Sequence, residues 1–93
     1  MEFEWDLAKE AANVAKHGIT FTDATSVFDD PHVLTEDSTK PEYGEERSLA
    51  IGEVAGRLAT VVYTDREQRR RIISARRARK NERERYDQSK TTS

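Results

Sequence analysis

Apolar residues change their spacing twice along this 93-residue chain, and each change marks a new kind of element. Leu7, Ala11, Val14 and Ala15 recur at helical spacing, which predicts a helix over about Leu7–His17. Asp6 is placed to cap its first turn, and Gly18 supplies the left-handed residue that ends it. Thr20-Phe21-Thr22-Asp23 resembles a capping box with Asp in place of the preferred Glu, opening a second helix through about Phe28. Asp29-Asp30-Pro31 stops it. Ahead of both, Phe3-Glu4-Trp5 reads as a short strand or anchor that sets two aromatics beside the core.

Strand signals follow. Val33 to about Glu36 is a plausible short strand, and Asp37–Glu46, with Pro41 and Gly44, reads as an exposed loop. Arg47–Val54 and Arg57–Thr64 are strands separated by the hairpin signal Ala55-Gly56. Asp65–Gln68 makes the next turn, and the third of these strands is about Arg70–Ala75. Tight turns force antiparallel pairing, so the three form a meander. The last element, about Arg79–Gln88, is rich in helix formers but has only Tyr86 as a substantial apolar residue. It must dock through few contacts or bind something else. Lys90–Ser93 reads as a frayed tail. The expected fold is α+β: one domain over residues 1–93, with two N-terminal helices packed on one face of an antiparallel meander of three to four strands, then a C-terminal helix.

Charge sharpens the picture. The net charge of −2 hides a division, because Arg66–Lys90 holds 11 Lys and Arg against 4 acids, while the rest holds 5 against 14. Clustered guanidinium groups attract phosphate backbones whatever the base sequence, although a salt-bridged solvated surface is the plainer reading of any one arginine. With no cysteine there is no disulfide or thiolate chemistry, and a reducing compartment is compatible. No basic segment precedes an N-terminal apolar run, and no apolar stretch approaches the ~20 residues needed to span a bilayer, so a cytoplasmic protein is expected. Two histidines without helical or hairpin spacing make no zinc site, so no metal or other cofactor is expected. The helical pair Leu7–Phe28 is a poor DNA reader, since Asp23 and Asp29-Asp30 would repel phosphate.

The third meander strand is where arginines meet a rigid element. Alternation puts Arg70, Ile72, Ser74 and Arg76 on one face and Arg71, Ile73, Ala75 and Arg77 on the other. If Arg71 lines a groove, Arg76 points away from it unless a bulge intervenes. Rigid guanidinium forks suit phosphate, though edge-strand arginines also deter aggregation. On the last helix, Arg79, Glu82, Arg83 and Tyr86 are neighbours three or four apart, a pattern that also stabilises exposed helices. RNA self-cleavage needs a base, positive charge on the phosphate and an acid for the leaving oxygen. Arginine supplies charge only; Glu82, Glu46 and His17 are available bases, and Tyr86 is placed to stack or donate. His17 ends a helix, where a structural role with the dipole is equally natural. Lys9, Asn13 and Lys16 share a polar helical face that would line a phosphate groove.

The run Phe3-Glu4-Trp5-Asp6, Lys9, Asn13, Lys16-His17-Gly18, Phe21, Ala24 and Phe28-Asp29-Asp30 resembles the opening signature of BrnT-type toxins. Glu46-Arg47, Gly52, Arg71-Ile72-Ile73-Ser74-Ala75-Arg76-Arg77-Ala78, Glu82-Arg83 and Tyr86 resemble its closing signature. The acidic loop near Glu36–Glu45 and the Arg69-Arg70-Arg71 triplet depart from it as ordinary variation. The resemblance implies a RelE-like fold and a type II toxin: a metal-independent endoribonuclease that halts translation. It also implies neutralisation by a BrnA-like ribbon–helix–helix antitoxin, a heterotetramer that represses its own operon, and DNA contact only through that complex. Arg47, Arg71 and Arg76 would then stabilise phosphate charge, His17 or Glu82 would move the proton, and Tyr86 would stack or donate. Lys9, Asn13, Lys16, Arg77, Arg79 and Arg83 would hold RNA. The competing expectations are a non-catalytic RNA-binding or protein-interaction module on the same basic surface, or a basic helix that only recruits the antitoxin.

Overall fold

In the computed structural model, which describes residues 1–92, Ala55 and Gly56 both take positive φ, 54° and 79°. That is the backbone of a two-residue hairpin whose twist matches its strands. The hairpin joins β3 and β4, and Glu67-Gln68 forms the next two-residue turn, into β5. The elements are β1 (Glu2–Glu4), α1 (Leu7–His17), α2 (Phe21–Ala24), β2 (Leu34–Asp37), β3 (Ser48–Val54), β4 (Arg57–Arg66), β5 (Arg69–Arg77) and α3 (Lys80–Thr92). The strands lie in the order β1-β5-β4-β3-β2. The expected meander is present, antiparallel throughout from β2 to β5. The sheet nevertheless has five strands and is mixed, because β1 pairs with β5 in parallel. Among the described residues no helix is long and apolar enough to cross a membrane.

Three expectations need correction. The second helix is α-helical only to Ala24 and tightens into a 3₁₀ turn over Thr25–Asp29, while Thr20 caps it as expected. The final helix runs on to Thr92 instead of ending near Gln88, so most of the supposed tail is helical; Ser93 lies outside the described residues. The helices do not share one face. On the inner face, Phe21, Ala24 and Val27 pack against Ala50, Val54, Val61, Tyr63, Ile72 and Ala75. On the outer face, Ala78 and Tyr86 pack against Ile51, with Leu34, Leu49 and Leu58 around them. Alternation along β3 explains the split, since Ala50 and Val54 point inward and Leu49 and Ile51 outward.

The first helix is oriented against its hydrophobic pattern. Asn13 is its buried residue, flanked in the docking row by half-buried Glu10 and His17. Leu7, Ala11, Val14 and Ala15 face solvent. The cause lies at the edge of the sheet. β1 covers only Arg69–Arg71 of β5, so the backbone of Ala75 has no strand partner on that side. The Asn13 amide takes the place of one: its Oδ1 accepts from the Ala75 amide at 3.0 Å, and its Nδ2 donates to the Ala75 carbonyl at 2.9 Å. Nδ2 also donates to the Ile19 carbonyl at 2.9 Å. Burying bare backbone polar groups costs more than exposing a few methyls, so the amide sets the face.

Candidate functional site

A bulge in β5 organises the outer face. Val62 pairs with Ser74, but Tyr63 pairs with Ile72, so Ile73 is an extra residue without a partner on β4. One unpaired residue resets the alternation. Ile72 and Ala75, three apart, therefore both enter the inner core. Arg71, Ser74 and Arg76 all emerge on the outer face, aligned with Thr64, Val62 and Thr60 of β4. Just ahead of β3, Arg47 continues the alternation of Leu49 and Ile51 on that same face, with Leu49 opposite Val62. Arg47, Arg71 and Arg76 thus share one surface whose floor is Leu49, Val62 and Ser74. Four residues separate Arg71 from Arg76, and the strand rise sets them about 13 Å apart or somewhat more.

Each of the three arginines is held differently. Arg47 stacks on the Tyr43 ring, Cζ 3.9 Å from its centroid, while its Nε donates to Glu45 at 3.2 Å. Glu45 also accepts from Arg66 at 2.8 Å, and these two arginines keep its carboxyl below the ordinary range. Arg71 has the loosest hold: its Nε is buried without a hydrogen-bond acceptor, and the nearest carboxylate, Glu4, is 3.9 Å away. Arg76 is clamped by Glu82, with Nη1 to Oε1 at 2.7 Å and Nη2 to Oε2 at 2.9 Å.

Glu82 is 4% exposed and accepts two further bonds, from the Thr60 hydroxyl at 2.9 Å and the Arg79 amide at 2.8 Å. Burial pushes its carboxyl up, but Arg76, the Arg79 amide and Thr60 together outweigh burial and hold it down to about 2. A base works best with a pKa near the operating pH, so this carboxylate is an anchor for Arg76 and the start of α3. Tyr86, expected to stack or donate at a surface, is 2% exposed and donates its hydroxyl to Asp30 at 2.7 Å. Burial first, and then the bond to Asp30, push the phenol well above its ordinary value. It fastens α3 to the turn after α2.

The remaining candidates divide by position. Asn13 is committed to Ala75 and Ile19, and His17 sits in the same docking row. At about 100° per residue, Lys9 and Lys16 lie together on the flank of α1 turned away from α2, and both are exposed. Arg77 emerges on the inner face opposite Ala59, and its Nη1 donates to the Val54 carbonyl at 3.3 Å. Arg79 is exposed at the start of α3, and Arg83 donates to the Ala78 carbonyl at 2.8 Å. Among the described residues, no group of three or more His, Asp or Glu is placed to hold a metal ion. Sequence reasoning passed over Ser74, whose hydroxyl-bearing side chain lies between Arg71 and Arg76. A lone polar residue between apolar neighbours in a basic strand was the available signal.

Comparison with known proteins adds one finding. Residues 5–82 match the model of a family described as the ribonuclease toxin, BrnT, of type II toxin-antitoxin systems. No curated protein matches the chain.

Proposed function

The chain belongs to the BrnT family of type II toxin-antitoxin ribonuclease toxins, and on that premise we propose that its outer-face arginines bind an RNA backbone and promote its cleavage. The observation that carries this is the bulge at Ile73, which brings Arg71 and Arg76 to the face of Arg47. Arg71 is the least tightly held of the three, its nearest carboxylate Glu4 lying 3.9 Å from it, which leaves the exposed part of its guanidinium to a phosphate. Lys9 and Lys16 rim this surface along α1, and Arg79 and Arg83 extend it along α3.

The reaction is internal transesterification. The ribose 2′-oxygen attacks the adjacent phosphorus and the 5′-oxygen leaves, yielding a 2′,3′-cyclic phosphate and a 5′-hydroxyl end. Arg47, Arg71 and Arg76 stabilise the negative charge that builds on the phosphorane, where such donors act most strongly. Ser74 donates to a non-bridging oxygen. Glu82 positions Arg76, and Tyr86 positions α3. His17 and the exposed Glu46 remain the candidates to take the 2′-hydroxyl proton, and the leaving oxygen is protonated from solvent. No metal takes part.

In this reading residues 1–93 act as one RelE-like toxin domain in the cytoplasm, cutting RNA and so inhibiting translation. A ribbon–helix–helix antitoxin neutralises it in a heterotetramer of two toxins and two antitoxins. The complex represses its own operon, and DNA contact belongs to the antitoxin. A second reading, a non-catalytic RNA binder, draws on one observation: Glu82 and Tyr86 are both tied into the fold, away from proton transfer. Incubating the purified protein with RNA in EDTA separates the two. Fragments with 5′-hydroxyl ends support cleavage as described. Intact RNA that shifts on a gel supports the binder, and cleavage abolished by EDTA overturns the metal-free step.

A further inference from the structure

The outward arc of α1 is an apolar surface that nothing among the described residues covers. Around the helix, Val14, Leu7, Ala11, Ala15, Ala8 and Ala12 follow one another without a polar residue, and all six are exposed. Leu7 is 76% exposed and Val14 39%, although both belong to a stripe that ordinarily turns inward. Beside the stripe runs a groove of about 750 Å³ between α1 and the start of α2. Glu10, Thr20 and Asp23 line its far side.

We propose that this arc seats an amphipathic helix of the cognate antitoxin, carrying basic residues on one flank and acidic residues on the other. The inference rests on family membership, which brings an antitoxin partner, and not on the arginine chemistry. Four exposed alanines permit close approach, toward the ~8 Å end of helix–helix separations. The charges narrow the occupant. Glu10 and Asp23 border one flank of the apolar arc, and Lys9 and Lys16 border the other. An antiparallel pair of identical α1 helices would set Lys9 and Lys16 of one copy against Lys16 and Lys9 of the next. A second copy of this chain therefore matches only in the parallel arrangement, whereas the antitoxin that family membership brings is under no such constraint of orientation. The arc spans only 11 residues, well short of the ~800 Å² per partner of a stable interface. It works as an anchor. The Lys9–Lys16 flank lies on the side away from α2, where it would meet acidic residues of the bound helix.

The test titrates purified cognate antitoxin into the toxin carrying Leu7→Glu, Val14→Glu or Ala11→Arg, by calorimetry, with RNA cleavage followed separately. All three positions are exposed, and unchanged circular dichroism and melting establish that each variant is folded. The expected result is affinity weakened about 30-fold or more per substitution, the scale of losing an anchor at the centre of an interface. Cleavage by the toxin alone stays at the wild-type level. Wild-type affinity in the folded variants overturns the proposal. So does a concentration-dependent dimer of the toxin alone that Leu7→Glu abolishes, which would assign the arc to a second copy. The titration reads out even with a toxin that fails to cut RNA, so failure of the cleavage reading is recognised separately.

Discussion

Arg76 and Glu82 meet through two parallel hydrogen bonds of 2.7 and 2.9 Å, and this pair joins the last strand to the last helix. α3 has little apolar surface, so this pair, the buried Tyr86 ring and the two bonds of 2.9 Å from Arg85 to Glu36 of β2 hold it to the sheet. Replacing Glu82 with Gln leaves a partly buried guanidinium without its counter-charge. The expected loss is about 3 kcal/mol of folding stability, read from urea denaturation midpoints at neutral pH. An unshifted midpoint would show that α3 is held by other contacts.

The same carboxylate makes stability depend on pH in a definite direction. Its pKa falls from 4.5 to about 2 on folding, so its contribution is complete above the unfolded value and is lost as pH falls through the folded one. The window is therefore between about pH 5 and pH 2. Denaturation midpoints of wild type and Glu82→Gln should differ widely at pH 7 and draw together toward pH 2.5. A gap that stays constant over that range would mean the carboxyl is not held ionised by Arg76.

Face, and not charge count, should govern RNA cleavage. Arg71→Ala and Arg76→Ala each remove an outer-face guanidinium and should lower the cleavage rate about 10²–10³-fold, the range found for a single transition-state donor. Arg77→Ala removes an adjacent positive charge from the inner face and should leave the rate within a few fold of wild type. Equal losses for all three would mean that the arginines act only through overall charge.

Asn13→Ala should expose the edge it closes. The Ala75 amide and carbonyl and the Ile19 carbonyl would each lose a partner. At about 1 kcal/mol for each bond, with more where a buried group stays unsatisfied, a loss of roughly 3 kcal/mol is expected. Hydrogen exchange locates the effect, since the Ala75 amide should exchange faster while Ile51 stays protected. Protection of Ala75 in the variant would show that water or backbone takes over.

Tyr86→Phe separates a structural phenol from a chemical one. It removes the bond to Asp30 but keeps the buried ring, and should cost about 1–2 kcal/mol. RNA cleavage at a temperature where the variant is folded should be unchanged. A drop of tenfold or more would bring Tyr86 back among groups that act on the substrate.

Much of this molecule could be read from its residues, and the parts that could not share a cause. The β3–β4–β5 meander was legible because the short turns read at Ala55-Gly56 and Asp65–Gln68, the latter narrowed by the structure to Glu67-Gln68, announce antiparallel neighbours. The Phe3 strand was visible, but its parallel partner was not, since the pairing of Glu2–Glu4 with Arg69–Arg71 joins opposite ends of the chain with no turn to mark it. The orientation of α1 ran against its periodicity because one amide, Asn13, answers to a backbone 62 positions away. The arginines were recognisable by type. Their convergence required the bulge at Ile73, and nothing in the residue pattern dictates where an unpaired residue will fall. Tyr86 and Glu82 looked like surface chemistry because helical spacing reports neighbours on the helix and not the depth of its burial.

The extra residue at Ile73 makes the reach from Arg71 to Arg76 a matter of length as much as identity. A relative that lost one residue in this interval would keep both guanidiniums on a common side only by regular alternation, two strand steps on each side of the midpoint. A relative that merely moved the bulge would be free to vary the aliphatic side chains between them. Tolerance in this stretch should therefore appear as paired changes, a deletion accompanied by repacking of the residues beneath, with single insertions selected against.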